Sequence, residues 1–297
     1  MYSVHRLRLL REVSLRGTLA AAAQALGYNP SSVSHQLRLL EEEVGAALLE
    51  PFGRGVRLTL QGKILVRHAE VILQQLESAE ADIAVAQQDV QGVVRAATFQ
   101  TALHTALPPA LWAIRAAHPQ LGVQLTHVSA EVALPALLAR DFDLVVLEDY
   151  PGFPRPAMEG AEVSGVGLDR MWLITPAGSD NLPLDQLREQ DWVMEAEGTQ
   201  ARQWAESMCR SAGFEPRVCF ESSDVLAHVK LVGVGLAVAL VPGLALSAVG
   251  SSDVQAHPLP GEPARRISVA LRRGGGHAPA VSAVREAVAE AVADCLQ

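Results

Sequence analysis

The chain has 297 residues, with 24 lysines and arginines against 33 aspartates and glutamates, and a formal net charge of −9 at pH 7. This negative net charge excludes a protein that binds polyanions through its overall charge. The charge is uneven, because residues 1–67 hold nine basic and five acidic side chains while the remaining 230 residues carry −13. Any nucleic-acid site is therefore expected in the N-terminal segment.

The first motif is a pair of short helices predicted around a glycine turn. The stretch GTLAAAAQALG (17–27) is typical of a helix that is capped by Thr18 and packs closely through its alanines. Gly27 suits the turn, and Asn29 and Pro30 suit the N-cap and first position of the next helix. In that helix the apolar side chains share one face. The opposite face carries Ser31, Ser34, His35 and Arg38. The pattern predicts a helix-turn-helix, and an ordinary helical hairpin with a solvated polar side is the alternative.

The stretch GRGVRLTLQGK (53–63) predicts a basic hairpin, or wing, after the helix pair. Such a wing contacts phosphates while the second helix presents polar side chains to base edges in the major groove. A solvated surface hairpin is the alternative. The residues predicted to contact DNA are Asn29, Pro30, Ser31, Ser34, His35, Arg38, Arg54 and Arg57.

A long helix is predicted next, because no glycine or proline interrupts residues 63–91. Its apolar residues recur at alternating spacings of four and three, which is typical of a seam between two helices. The residues predicted to form a dimer seam are Leu65, Ala69, Ile72, Leu76, Ala79 and Ile83. An amphipathic helix packed within one chain is the alternative.

Residues 17–62 resemble the N-terminal domain of LysR-type transcriptional regulators. The matching residues are Ala22, Ala23, Leu26, Ser34, Leu40, Glu41, Gly45, Arg54, Leu58, Thr59 and Gly62. The chain departs from the family pattern at Leu49 and Pro51, where phenylalanine and arginine are usual, and at His35, where a basic residue is common. Fewer phosphate contacts or different base preferences are expected from these departures.

This resemblance implies a bacterial, cytoplasmic regulator that binds double-stranded DNA and a small-molecule effector and forms dimers that pair into tetramers. It also implies an α/β fold, with an N-terminal all-α winged helix-turn-helix domain and a two-lobed effector domain like a periplasmic binding protein. The expected bounds are 1–62 for the winged helix-turn-helix domain, 63–91 for the linker helix and 92–297 for the effector domain. Lobe I is expected over about 92–160 and 268–297, and lobe II over about 161–267.

The residues after 92 support this division independently. Short apolar stretches such as GVVRAATF (92–99) and DLVVLE (143–148) alternate with helical patterns. This order predicts two α/β lobes with mainly parallel sheets and crossing connections near residues 160 and 265. The uncharged run over 231–252 is interrupted by glycine and proline, so a buried helix end, strand and turn are expected there and not a membrane span. No signal peptide is recognised at the N-terminus.

An effector site is expected where strands end and helices begin in the two lobes. The expected residues are Thr98, Gln100, Thr101, Ser129, Thr199 and Gln200. Hydroxyls and helix N-terminal N–H groups suit a small anion or carboxylate, although simple helix capping is the alternative.

No catalytic set, metal site, cofactor loop or Cys-x-x-Cys motif is recognised, so neither an enzyme nor a bound cofactor is expected. Cys209 and Cys219 are expected to be structural and not thiol sensors. A solute-binding protein of the same two-lobed shape and an α/β enzyme with a helical appendage are the remaining alternatives.

Overall fold

The computed structural model describes residues 1–53, 55–87, 90–179, 183–250 and 252–296. The chain forms two compact units. The first comprises Met1–Gln88 with Arg273–Ala278, and the second comprises Asp89–Arg272 with Pro279–Gln297.

The first unit is helical with one β-hairpin. Its elements are α1 (Val4–Arg16), α2 (Leu19–Leu26), α3 (Pro30–Val44), β1 (Leu49–Phe52), β2 (Gly55–Leu58) and α4 (Leu60–Gln87). Gly17, Gly27 and Gly45 end the first three helices in the left-handed conformation, which glycine adopts without strain. The apolar faces of these helices meet in a single core that includes Leu10, Ala23 and residues of α3.

Two side chains fix the turns on either side of the hairpin. The Glu41 carboxylate accepts hydrogen bonds from the backbone N–H groups of Leu48 at 2.8 Å and Leu49 at 3.2 Å. The Thr59 hydroxyl donates to the Ala47 carbonyl at 2.7 Å and accepts from the Gly62 N–H at 3.0 Å, which caps α4. These bonds explain why glutamate and threonine stand at those two points of the N-terminal motif.

The second unit contains two lobes, each with its own hydrophobic core. Around the first lobe's cores lie β3 (Gly92–Thr98), α5 (Gln100–His104), α6 (Leu107–Ala117), β4 (Leu121–His127), α7 (Ala130–Leu138), β5 (Leu144–Asp149) and α11 (Pro279–Cys295). Around those of the second lie β7 (Asp191–Met194), α8 (Gln200–Ser211), β8 (Arg217–Glu221), α9 (Val225–Gly233), β9 (Ala239–Pro242), α10 (Gly243–Val249) and β10 (Val254–Pro258). Two long strands, β6 (Ala161–Pro176) and β11 (Ala264–Arg272), run side by side between them.

The expectation of mainly parallel sheets was wrong. The seven-stranded sheet has the order β10-β6-β11-β5-β3-β4, and β9 also pairs with β6. Among the described strands, the parallel pairs are β3–β4, β3–β5 and, in a separate two-stranded sheet, β7–β8. The strand β11 comes much later in the sequence than β5 and β6 and lies between them, antiparallel to both, so this sheet is mixed. The crossing strands do lie near residues 160 and 265, as expected.

The uncharged run over 231–252 contains the end of α9, the strand β9 and the helix α10. Across the part of the chain that the structure describes, no helix combines the length and the apolar character that a membrane crossing requires.

Candidate DNA-binding surface and ligand cleft

The helix α3 separates its apolar and polar residues cleanly. Val33, Leu37 and Leu40 are buried in the core of the first unit. The predicted contact residues of the opposite face, Ser31, Ser34, His35 and Arg38, are all exposed, as are Asn29 and Pro30 at the start of the helix. The core thus holds the helix rigidly while its polar side chains remain available to a partner.

The Arg38 guanidinium is paired on this surface with groups that it can exchange. It donates to the Glu42 carboxylate at 2.5 Å and lies 3.2 Å from His35 Nδ1. Both members of the Arg38–Glu42 pair are more than half exposed, and such pairs contribute about 0–1 kcal/mol. Replacing Glu42 by a base edge or phosphate therefore loses little.

The predicted wing is the hairpin β1–β2. Arg57 is exposed, donates to the Glu50 carboxylate at 2.6 Å across the hairpin, and stacks 4.9 Å from the centre of the Phe52 ring. Arg54, the other predicted wing contact, lies outside the described residues.

The predicted seam residues of α4 divide into two groups. Ala69 is completely buried in the core of the first unit, and Leu65 packs against the same core. Ile72, Leu76 and Ile83 are 40%, 44% and 59% exposed, and Ala79 is also exposed. The start of α4 thus packs within its own chain, and its later turns present an apolar strip to solvent.

A cavity of about 100 Å³ opens between the two lobes of the second unit. Its lining comprises Phe99, Ser129, Ala130, Glu131, Val146, Leu147, Glu148, Tyr150, Arg155, Glu195, Thr199, Gln200 and Ala201. The structure brings three of the six expected effector residues together here, namely Ser129, Thr199 and Gln200. A smaller, mainly apolar space continues into the second lobe beside Trp204.

The other three expected residues do not line this cavity. Thr98, the last residue of β3, is buried within the first lobe. Thr101 is completely buried and its hydroxyl accepts a hydrogen bond from Arg265 at 2.6 Å. The Gln100 side chain donates to the Asp224 carboxylate at 2.7 Å and accepts from the Val225 N–H at 3.0 Å, so it ties α5 to the start of α9.

Behind the cavity, Arg265 organises a buried ionic cluster. Its guanidinium is 2% exposed, lies 2.8 Å from Asp169 Oδ2 and also pairs with Glu148. Asp169 stands on β6 and Arg265 on β11, so the pair joins the two strands that cross between the lobes. The Asp169 carboxylate also accepts from the Leu244 N–H at the start of α10, at 3.2 Å.

The carboxyl groups of the cavity differ in ionisation. Burial, with repulsion from Glu148, raises the pKa of Glu195 to about 7. Burial also raises the pKa of Glu148, although attraction to Arg265 opposes it. At Glu131 burial raises the pKa too, but the hydrogen bond from Arg155 at 2.6 Å, those from the Glu131 backbone N–H and Ser129, and the attraction to Arg155 together outweigh it, so the pKa of Glu131 lies below its ordinary value.

Sequence reasoning missed the charged lining, although a signal for it was present. Glu148 is the last residue but one of β5, and Glu195 directly follows β7. The strand-end rule that selected Ser129 selects both of them equally well. The strand β7 has only four residues and was not recognised, so Glu195 was not placed at a strand end.

The cysteines are poorly suited to thiol chemistry. Cys209 is buried, and its burial raises the pKa of the thiol to about 12. Cys219 is exposed, but its hydrogen bond to Asp191 raises the pKa of that thiol as well. A reactive thiol needs a lowered pKa.

Comparison with known families finds two matching models along the chain. Residues 4–63 match the model of the bacterial regulatory helix-turn-helix proteins of the lysR family, and residues 87–293 match the LysR substrate binding domain. The chain belongs to the LysR family. It is a LysR-type DNA-binding transcriptional regulator with an effector-binding domain, and the family and its named relatives are transcriptional regulators and not enzymes.

Relatives and solved structures agree with this assignment. The transcriptional dual regulator GltC of Bacillus subtilis is 29% identical over 247 residues, which cover 80% of each chain. A full-length OxyR variant of Pseudomonas aeruginosa superposes with a TM-score of 0.71 at 16% identity, over 97% of this LysR-family chain and 95% of its own. The LysR-type regulator CbnR in complex with its target DNA gives a TM-score of 0.54 at 24% identity, over 98% and 99% of the two chains. These two structures are similar in fold.

Proposed function

We propose that this LysR-family regulator reads double-stranded DNA with the exposed polar face of α3 and with its wing. The observation that carries the proposal is the division of α3, whose apolar face is buried in a rigid core while Ser31, Ser34, His35 and Arg38 face solvent. Side chains of this kind on a recognition helix form hydrogen bonds with base edges. Asn29 and Pro30 start the helix beside the phosphates, and Arg54 and Arg57 of the wing contact the backbone.

Oligomerisation supports this reading. Of the predicted seam of Leu65, Ala69, Ile72, Leu76, Ala79 and Ile83, the first two pack within the chain and the last four stand exposed on one face of α4, which supports pairing through its later turns. Pairing of two such helices buries that face and brings together two reading heads, which are the winged helix-turn-helix domains of the two chains. The pairing of dimers then gives a tetramer. A charge of only +4 on residues 1–67 makes a single head a weak electrostatic binder, so pairing is needed for affinity.

The cleft between the lobes is the proposed effector site. The proposed location is the cytoplasm, because the regulator acts on DNA. Ser129, Thr199 and Gln200 line the cleft. Thr98, Gln100 and Thr101 belong to the surrounding framework, in which Gln100 joins the lobes and Thr101 holds Arg265. The bounds 1–62, 63–91 and 92–297 remain the proposed domain division. The anion or carboxylate expected from the strand and helix ends is not supported by the acidic lining.

The test begins by selecting the preferred duplex from random DNA with the full-length protein. Affinity for that duplex is then measured for Arg38→Ala and His35→Ala, with Arg115→Ala of α6 as a charge-matched control. Each α3 variant should lose about 1–3 kcal/mol of specific binding, the size of a good base contact. Arg57→Ala should instead weaken binding to all duplexes and reduce the salt dependence by about one unit of slope. Parent-like affinity and selectivity in both α3 variants refute the assignment.

A further inference from the structure

The cleft between the lobes carries more negative charge than its own cations balance. Three of its lining residues are carboxylates, Glu131, Glu148 and Glu195, and Asp149 and Asp169 adjoin them. Three guanidinium groups act on these five carboxylates, Arg155 and Arg265 as ion-pair partners and Arg266 through its attraction to Asp149, which leaves an excess of two negative charges when all are ionised.

Both ion-paired guanidinium groups are already engaged. Arg155 lies 2.6 Å from Glu131 and 3.0 Å from Asp149, and Arg265 is held between Glu148 and Asp169. An anionic ligand would have to displace these partners and leave carboxylates unpaired in a partly buried space, which is costly. No such displacement is required of a cation.

We propose that the ligand of this cleft is a small organic cation, a protonated amine or a guanidinium compound, whose charge is held by Glu195 and whose N–H groups donate to Gln200. The proposal rests on the function proposed for the cleft and specifies the chemical class of its effector. Among the described residues, the Glu195 carboxylate has no ion-pair partner. It is the acidic group of the lining that a ligand cation can pair with directly.

An unsatisfied acceptor lies beside it. The Gln200 side-chain Oε1 is buried and has no hydrogen-bond partner among the residues that the structure describes, and Gln200 lines the same cavity. A buried acceptor without a donor is costly, so such an atom in a cavity is accounted for by a ligand that donates. A carboxylate ligand has no proton to give it at neutral pH.

The helix N-termini that favour an anion are weaker than this charge. The starts of α7 and α8 each contribute about half a positive charge, together about +1 against the excess of two negative charges. Each is also partly offset by the chain itself. Glu131 lies in the first turn of α7, and Glu195 lies beside Thr199, the N-cap of α8.

The remaining lining suits the carbon skeleton of such a ligand. Phe99, Val146, Leu147 and Ala201 give the cavity an apolar side. Its volume of about 100 Å³ has room for several waters or one small organic molecule. A short alkyl chain with one cationic end fits both the size and the polarity of the space.

The experiment measures binding of defined probes to the full-length protein by calorimetry and thermal shift. The cations are butylamine, 1,4-diaminobutane and butylguanidine, and butanoate and succinate are the matched anions. The variants are Glu195→Gln and Gln200→Leu, with Glu197→Gln as the control because Glu197 is exposed on the same loop and does not line the cavity.

At least one cation should bind the parent and the Glu197→Gln control equally, and about tenfold more weakly to Glu195→Gln, a difference of about 1.4 kcal/mol. Gln200→Leu should weaken it as well. Binding of the anions without the cations, cation binding unchanged in Glu195→Gln, or binding of no cation overturns the proposal. Anion binding that depends on Ser129 and Thr199 would overturn the cation and leave the cleft as the effector site. The failure of the DNA-binding proposal is seen separately, in the Arg38→Ala measurement.

Discussion

Replacing Arg265 by methionine should strongly destabilise the second unit while leaving the first unit unaffected. Methionine fills much of the arginine's volume, so the change mainly removes the charge and its hydrogen bonds. It leaves Asp169, which is 1% exposed, with the Leu244 N–H as its remaining donor, and it removes the counter-charge of Glu148. Removing one partner of a buried ion pair costs about 3–5 kcal/mol, because the other charge stays buried and uncompensated.

This loss is a large share of a domain stability of about 5–15 kcal/mol. For a unit of about 200 residues, each kcal/mol lowers Tm by about 2–4 °C, so the expected decrease is about 6–20 °C. Scanning calorimetry of the full-length protein measures it, and unchanged binding of the selected duplex shows that the reading head remains folded. Arg266→Met is the matched control, since Arg266 is the next residue of β11 and is exposed.

A second variant separates the charge from the packing. Asp169→Asn keeps an oxygen for the Leu244 N–H and removes the charge that Arg265 balances. The combination of Arg265→Met with Asp169→Asn should therefore cost less than the sum of the two single changes, by about 0.5–3 kcal/mol. Additive losses, or an Arg265→Met variant as stable as Arg266→Met, would show that the ionic cluster does not hold the crossing strands together.

Three further outcomes are expected. Ile72→Glu combined with Leu76→Glu should dissociate the dimer in sedimentation, because carboxylates are costly in an apolar seam, whereas Val85→Glu, exposed on the opposite face of α4, should sediment like the parent. Affinity of the cleft for an amine probe should rise about tenfold from about pH 6 to about pH 8 as Glu195, with its pKa of about 7, ionises; a fall over this interval is the sign expected for a carboxylate ligand. Cys209→Ser should respond to hydrogen peroxide, by DNA footprint, no differently from the parent, since a buried thiol with a pKa of about 12 stays protonated; a peroxide response abolished by this change would contradict the argument.

The sign of the pH effect follows from the titratable groups around Glu195, whose backbone carbonyl also accepts a hydrogen bond from Arg202 at 3.0 Å. Burial and repulsion from Glu148 raise the pKa of Glu195, and the bound cation lowers it, so binding releases a proton and strengthens as pH rises. The raised pKa of Glu148 acts in the same direction. The pKa of Glu131 is lowered, and burial lowers that of His228, so neither changes charge in the upper part of this range. Burial raises the pKa of Tyr150 far above it, and the arginines stay charged.

Helices with a strong local pattern were predictable from the sequence. Asn29 and Pro30 located the start of α3, in agreement with the span Pro30–Val44, and the structure shows that Gly45 ends it. The cap, the first helical position and the terminating glycine are all within the chain segment that they define. Local chemistry therefore determines these boundaries, with no information from distant residues required.

Strand pairing was not predictable in the same way. The strand β11 lies between β5 and β6 and is antiparallel to both, although it follows them by about a hundred residues. The sequence of β11 does not indicate whether its neighbours run parallel or antiparallel to it. A strand buried on both faces shows no alternation of apolar and polar residues that would distinguish the two arrangements. The direction is set by the route of the chain across both lobes, which no short stretch contains.

The site shows the same division between local and non-local information. Ser129, Thr199 and Gln200 were found from strand and helix ends, which are local features. The charge of the cavity depends on which side chains of both lobes meet there and on which of them already have partners. Glu195 matters because its carboxylate forms no ion pair among the described residues, although Arg202 donates to its backbone carbonyl at 3.0 Å, and that is a property of the fold and not of the residues beside it in sequence.

Ligand binding and the stability of the crossing strands share one group. Glu148 lines the cleft and also pairs with Arg265, which is bound to Asp169 on the neighbouring strand. A cation in the cleft favours the ionised forms of Glu195 and Glu148, and an ionised Glu148 strengthens its attraction to Arg265. The ligand can shift the arrangement of the lobes only by its difference in affinity between two arrangements, typically about 1–3 kcal/mol. If the distance from Glu148 to Arg265 differs between the two arrangements of the lobes, a ligand that contacts Glu148 has a different affinity for each arrangement. Conservative changes such as Glu148→Gln should therefore alter the effector response and the Tm of the second unit together, whereas Glu197→Gln alters neither.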